Sequence, residues 1–198
     1  MVRARLVKVA GLLLAAGDGS RLGRPKALVE FRGMTLAARG AATLADGGAD
    51  PVLVVTGAAP VRLDGATTVH NPLWATGMGS SLKAGLAALT SHDGITAVVV
   101  SLADQPLISA EAVRRLIRAH QAGAAVVIAT YDGKPRNPVL LAREHWDQVA
   151  AMADGDAVAR PFLRAHQELV TLVECAGTGS PDDIDTPADL SRLNEITE

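Results

Sequence analysis

The sequence predicts an α/β fold with a mainly parallel central sheet, and three observations carry that prediction. Short runs rich in Val and Leu alternate with Ala/Leu-rich stretches of helical length, the rhythm of βαβ units. Hydrophobic residues make up 48% of the 198 residues but aromatic ones only 3%, so the core has to be built from Ala, Val and Leu, which suits helices laid on a parallel sheet. Gly and polar residues gather directly after the apolar runs, where open α/β sheets bind their ligands.

The elements follow in order. Val7 to Leu14 reads as the first strand, and Ala15 to Lys26 as a Gly-rich loop with two cations. Thr35 to Asp46 is a helix, Val52 to Thr56 and Thr67 to His70 are strands, and Ser80 to Leu89 is the next helix. Ala97 to Leu102 is the most apolar strand. The helix Ser109 to Gln121 has Ser109 as N-cap and Glu111 in the first turn, where the helix dipole favours a negative charge. After the strand Ala125 to Thr130 the rhythm changes. Tyr131 to Asn137 reads as a turn and Pro138 to Leu141 as an edge or excursion strand. Glu144 to His166 reads as two short helices broken at Gly155, Leu169 to Glu174 as a last strand and Pro187 to Leu193 as a terminal helix. A chain of this length is expected to form one domain over residues 1–198.

Composition excludes several function classes. A formal charge of −2 gives no basic field for nucleic acid, though it leaves room for a local cationic pocket. Cys175 is the one cysteine, so neither an internal disulfide nor a multi-cysteine metal site is expected, and a cytoplasmic location is the simplest expectation. Met1 to Lys8 is basic, but the apolar run behind it breaks at Ala15 to Gly19, unlike a cleavable signal. No apolar run reaches the 18 or so residues that a membrane span needs. The five histidines show no metal-ligand spacing.

Three constellations carry chemistry. In the first loop, Gly17 and Gly19 let the backbone turn and aim N–H groups at one ligand, while Arg21 and Lys26 supply the charge that phosphates need. The Gly17 to Gly23 spacing misses the dinucleotide fingerprint by one residue, and no Gly-Lys-Ser/Thr follows as in a Walker loop. The plainer alternative is a Gly-rich turn with surface cations. Asp104 stands at the end of the most apolar strand and Asp185 just before Pro187. Each suits a turn or N-cap, and together they suit Mg²⁺, which is usually held by one or two carboxylates plus substrate phosphates. In the stretch Asn71 to Leu82, Gly77 and Gly79 offer backbone donors, Ser80 and Ser81 offer hydroxyls at a helix start, and Asn71 can read a base or ribose edge. A capped helix explains Ser80 equally well.

These segments, with NPVLL at Asn137 to Leu141, GDAVAR at Gly155 to Arg160 and DIDTPADL at Asp183 to Leu190, occur in one order along nearly the whole chain. The sequence resembles the molybdenum cofactor cytidylyltransferases, among the MobA-like nucleotidyltransferases. The resemblance implies a three-layer, Rossmann-like nucleotidyltransferase fold. It implies nucleotide binding by Leu14, Ala15, Ala16, Gly17, Asp18, Gly19, Ser20, Arg21, Lys26, Asn71, Gly79, Ser80, Ser81 and Asp104, with Arg21, Lys26 and Asp104 in the catalytic role. Mg²⁺ would be held by Asp104 and Asp185, and the acceptor side lined by Asn137, Pro138, Asp156 and Arg160. The implied reaction transfers CMP from CTP to the terminal phosphate of molybdopterin, and the implied partner is a molybdenum hydroxylase that receives the product. Family members with Ala-Ala-Gly at the first loop tend to use CTP, and the Cβ of Ala16 would limit room for a purine. Val158 departs from the family's usual Gly, and Arg136-Asn137 from its usual Gly-His or Gly-Asn. Alternatives are GTP or another phosphorylated acceptor, and a carrier that delivers the cofactor to a hydroxylase.

Overall fold

A computed structural model describes residues 7–196. All but the last two residues of the basic N-terminal stretch Met1 to Lys8 therefore lie outside the described residues. The strands are β1 (Lys8–Ala15), β2 (Glu30–Phe31), β3 (Met34–Thr35), β4 (Val52–Thr56), β5 (Thr67–His70), β6 (Ile95–Leu102), β7 (Val126–Tyr131), β8 (Lys134–Ala142) and β9 (Val170–Glu174). The helices are α1 (Leu36–Asp46), α2 (Met78–Thr90), α3 (Ala110–Gln121), α4 (Trp146–Met152), α5 (Arg160–Ala165) and α6 (Pro187–Glu195).

Seven strands form one sheet in the order β5-β4-β1-β6-β8-β7-β9, parallel throughout except for β8. Alternation along β1 builds the three layers. Val9 and Leu13 face a core with α1 and α3, while Ala10, Leu12 and Leu14 face one with α2, α4 and α5. Ser109 caps α3 as its residue type predicts, accepting from the Ala112 N–H at 3.1 Å. Among the described residues no helix is long and apolar enough to cross a membrane.

The segment Pro138 to Leu141 is not an edge strand. β8 begins at Lys134, within the stretch read as a turn, and runs antiparallel between β6 and β7. Its first half is exposed and polar, which hides the strand in the sequence, and only Val139 to Ala142 carries the apolar signal of an interior position. Pro138, which lacks a ladder N–H, sits beyond the last β6 pairing (Val100 with Val139) and at the register shift against Ile128 and Ala129. Also unforeseen is the short β2–β3 hairpin.

The hairpin serves a third, small core of Val29, Phe31, Leu36, Ile184 and Leu193. This core fixes the approach to α6, whose N-terminus is closed by a capping box between Thr186 and Asp189. Asp185 is thereby held between a buried Ile184 and a capped helix. Leu140 tests the interior placement of β8: it is fully buried, so Leu140→Ala should cost about 2–5 kcal/mol in urea unfolding, against a small fraction of that for an exposed edge position.

Candidate active site

The strand ends define the site. β1 and β6 are parallel neighbours, and the Ala103 N–H donates to the Leu14 carbonyl at 3.1 Å just past the point where both strands stop. The two loops that follow must therefore leave the sheet side by side, as expected for ligand binding at the carboxyl ends of strands. A cleft of about 1080 Å³ opens above them.

One wall is the first loop. Gly19 adopts φ +60°, and a Cβ there would stand 2.1 Å from the Arg24 carbonyl oxygen, so only glycine lets the loop close on itself. Asp18 accepts from the Ser20 N–H, and the Lys26 N–H donates to the Gly17 carbonyl. Among the described residues the N–H groups of Gly17, Asp18 and Gly19 donate to no other group, which leaves them to an anion.

Lys26 is the centre of the charge arrangement. Its Nζ donates to Asp104 Oδ2 at 2.7 Å and to Asp185 Oδ1 at 2.5 Å, and Arg21 meets the other Asp185 oxygen at 3.1 Å. Asp104 is placed by the end of β6 and Asp185 by the third core. The Ile184 N–H donates to the Asp104 carbonyl at 2.8 Å, which fixes one segment against the other. Burial pushes the Asp104 carboxyl above its ordinary value, against the pull of Lys26. The Lys26 hydrogen bond holds Asp185 below the usual carboxylate range. Burial alone would lower the Lys26 ammonium, but the charges and hydrogen bonds of Asp104 and Asp185 outweigh it and raise its pKa.

The donor set fits a hard divalent cation. Asp104 Oδ1 is buried with no hydrogen-bond partner, and both carboxylates already converge on one positive charge. Among the described residues no group of three acidic, His or Cys side chains could hold a metal alone. Two carboxylates that need substrate oxygens to complete the shell match the way Mg²⁺ is commonly bound.

Leu14, Ala15, Ala16, Gly17, Asp18, Gly19, Ser20, Arg21, Lys26, Ser81, Asp104 and Asp185 all border the cleft, as do Asn137, Asp156 and Arg160. Asn71, Gly79, Ser80 and Pro138 do not border it. Both amide hydrogens of the buried Asn71 are given to Ser80 and Ser81, at 2.8 and 3.0 Å, and its Oδ1 accepts from the Leu73 N–H. Asn71 thus braces the start of α2 and has no hydrogen left to read a base. Gly77 and Gly79 are not open donors either. Gly79 donates to the Gly155 carbonyl at 2.7 Å, and a Cβ on Gly77 would come within 2.5 Å of Gly155. Those glycines allow close packing of two backbones. Asp156 accepts from the Met78 N–H at 3.3 Å, at the first turn of α2.

Trp74, Met78, Arg136 and Asp183 also border the cleft, beyond the residues that the sequence pattern points to. Trp74 lies inside the Asn71 to Leu82 constellation, and its only signal was being a large aromatic in a chain with few. Val158, where the resembled family usually has Gly, takes φ +27° on the cleft wall, a strained backbone for a β-branched residue.

The profile of the MobA-like NTP transferase domain matches residues 11–169. The chain belongs to this family. The MobA-like chain is 39% identical to the nicotine blue oxidoreductase of Paenarthrobacter nicotinovorans, over 93% of its own length and 96% of the relative's. It is 28% identical to the molybdenum cofactor guanylyltransferase of Rhodobacter capsulatus, over 96% of each. Its fold superposes on the crystal structure of Rv0371c from Mycobacterium tuberculosis with a TM-score of 0.82 and 27% identity, covering 96% of this chain and 99% of that one. A manganese complex of the same protein superposes at 0.77, with 26% identity over 96% and 100% of the two chains. The MobA-like chain is a nucleotidyltransferase, and its fold is the three-layer one expected.

Lys26→Met tests the charge arrangement. Without the ammonium the largest cause that lowers Asp185 is lost, leaving Arg21 alone beside it, and the pull on Asp104 vanishes. The stability that a lowered carboxylate contributes is present above its ordinary value of 3.8 and lost as pH falls through the lowered one. The destabilisation by Lys26→Met should therefore be greatest near neutral pH and shrink below about pH 4, as read by urea unfolding across pH.

Proposed function

We propose that this MobA-like enzyme transfers CMP from CTP to the terminal phosphate of molybdopterin and releases pyrophosphate. The observation that carries the reading is the convergence of Lys26, Asp104 and Asp185 beside the unbonded N–H groups of Gly17 to Gly19. The triphosphate would lie along that loop, its charge met by the backbone donors, Arg21 and Lys26. Mg²⁺, held by Asp104 and Asp185 with the phosphates, would supply charge neutralisation.

The acceptor approaches from the wall of Arg136, Asn137 and Arg160, where Asn137 is steadied by donating to Gln105 at 3.1 Å. Its phosphate oxygen forms a bond to the α-phosphorus of CTP as the bridging bond to the β-phosphate breaks, and the electron pair leaves with pyrophosphate. A phosphate monoester loses its second proton near pH 6, so the nucleophile is already charged and no general base is needed. What the chain contributes is alignment and charge. Lys26, which neutralises both carboxylates here, would be available to the phosphates where Asp104 and Asp185 held a metal ion.

Ala16, which borders the cleft, supports cytosine over guanine on this reading, since its methyl group would limit the room for a purine. The product would go to a molybdenum hydroxylase, and residues 1–198 would act as one cytoplasmic domain. A second reading has an observation of its own: the 39% identity to a protein named an oxidoreductase. On that reading no nucleotide yields pyrophosphate.

Purified protein with Mg²⁺ and anaerobic, molybdenum-loaded molybdopterin, offered CTP, GTP, ATP and UTP in turn, should release pyrophosphate with CTP. Ala16→Gly should raise the rate with GTP relative to CTP by about tenfold, one lost methyl contact being worth ~1–3 kcal/mol. Release from GTP alone in the unaltered protein would overturn the cytidylyl assignment. Asp104→Asn keeps the shape of the side chain and should lower kcat by about 10² or more while leaving the circular dichroism spectrum unchanged. Loss of the fold instead would make Asp104 a structural residue.

A further inference from the structure

Among the described residues Trp74 is the one aromatic side chain on the cleft wall, and the chemistry proposed for the cleft gives it no task. Its setting is specific. A Cβ on Gly57 would stand 2.4 Å from Trp74 Cβ, 2.5 Å from its Cγ and 2.9 Å from Ala16 Cβ. The bare Gly57 backbone therefore lets the root of the indole and the Ala16 methyl close on one corner. The Ala58 N–H donates to the Ala16 carbonyl at 3.0 Å, which ties that corner to the start of the phosphate loop.

Trp74 is also held from behind. Its N–H donates to the Asn71 carbonyl, and the Asn71 side chain bonds to Leu73, Ser80 and Ser81. The fully engaged amide of Asn71 thus has a purpose: it fixes the turn that presents Trp74. The indole remains half-buried, with open space before it in the cleft. Trp146, by contrast, is 2% exposed and donates its indole N–H to the Leu141 carbonyl.

We propose that Trp74 forms the aromatic wall of the nucleobase slot, stacking on the base while Ala16 bounds its size. A triphosphate seated on Gly17 to Lys26 extends its nucleoside toward Ala16, the residue at which that loop leaves the sheet. Every base has a π-face, so stacking supplies affinity, and the Ala16 methyl supplies discrimination. The inference rests on the nucleotidyl-transfer reading.

The test compares the unaltered protein, Trp74→Phe and Trp74→Leu by titration calorimetry with CTP, GTP and inorganic tripolyphosphate, each with Mg²⁺. Trp74→Leu should bind the preferred nucleotide at least tenfold more weakly and tripolyphosphate unchanged, and Trp74→Phe should keep most of the nucleotide affinity. The chain has two tryptophans, so the fluorescence change on nucleotide binding should vanish in Trp74→Phe, where the shielded Trp146 alone remains. Wild-type nucleotide affinity in Trp74→Leu, or parallel loss of tripolyphosphate, would overturn the assignment. If the unaltered protein prefers GTP, the cytidylyl reading falls while the comparison with GTP still decides the role of Trp74. If no nucleotide binds more tightly than tripolyphosphate, both fall.

Discussion

A carboxylate buried at the end of a hydrophobic strand needs a cation beside it, and Asp104 obtains one from Lys26, 78 residues away. The same ammonium binds Asp185, 159 residues away, so one positive charge fixes the relative positions of three segments that share no local sequence logic. Much of the fold meets that requirement. The parallel pairing of β1 with β6 sets the first loop beside Asp104, and the small core around Phe31 and Ile184 carries Asp185 to the same point. Lys26 remains charged there because two carboxylates outweigh the burial that would otherwise discharge it. Such a pair of carboxylates around a replaceable cation has more use in binding than in stability, since apolar packing would hold the segments at lower desolvation cost.

The single antiparallel strand has a related consequence. Because β8 runs against β6 and β7, its first residues lie beside the ends of those strands, so Arg136 and Asn137 enter the cleft from the sheet itself. A parallel strand in that position would present its final residues, and the cation and the amide that β8 gives to the cleft, Arg136 and Asn137, would need another source. The polar first half of β8 is thus a requirement of the site as much as an exception to the strand pattern.

This explains which features were legible in the sequence. β4 and β5 fall where their β-branched runs put them, and α3 is capped by Ser109, because local propensity and burial agree there. Arg21, Lys26 and Asp104 were readable because they stand in the loops that follow the apolar strands β1 and β6, and Asp185 because it stands just before Pro187 at a helix start. The first half of β8 was not, since exposure removes the apolar signal from Lys134 to Asn137. Asn71, Gly77 and Gly79 suit ligand contacts by residue type, yet their bonding partners, Ser80 and Ser81 for Asn71, the Trp74 carbonyl for Gly77 and the Gly155 carbonyl for Gly79, show packing roles. An amide or a glycine suits both purposes equally well, and only the position of the partner distinguishes them.

The two walls of the cleft also differ in how firmly they are built. Leu14 and Ala15 end a central strand that is buried from Val9 onward, and the corner with Trp74 is closed by backbone hydrogen bonds. Across the cleft, Arg136 and Arg160 are exposed, and Val158 keeps a backbone conformation that costs a β-branched residue about 1–3 kcal/mol. Strain of that size persists only where the surroundings impose it. Arg136 and Val158 are also where the chain leaves the pattern of the family it resembles. Since the two walls belong to different elements, changes on one should combine nearly additively with changes on the other wherever the residues do not touch. A fold with this division can change one wall while the other keeps its form, which suits a family whose relatives carry different activity names.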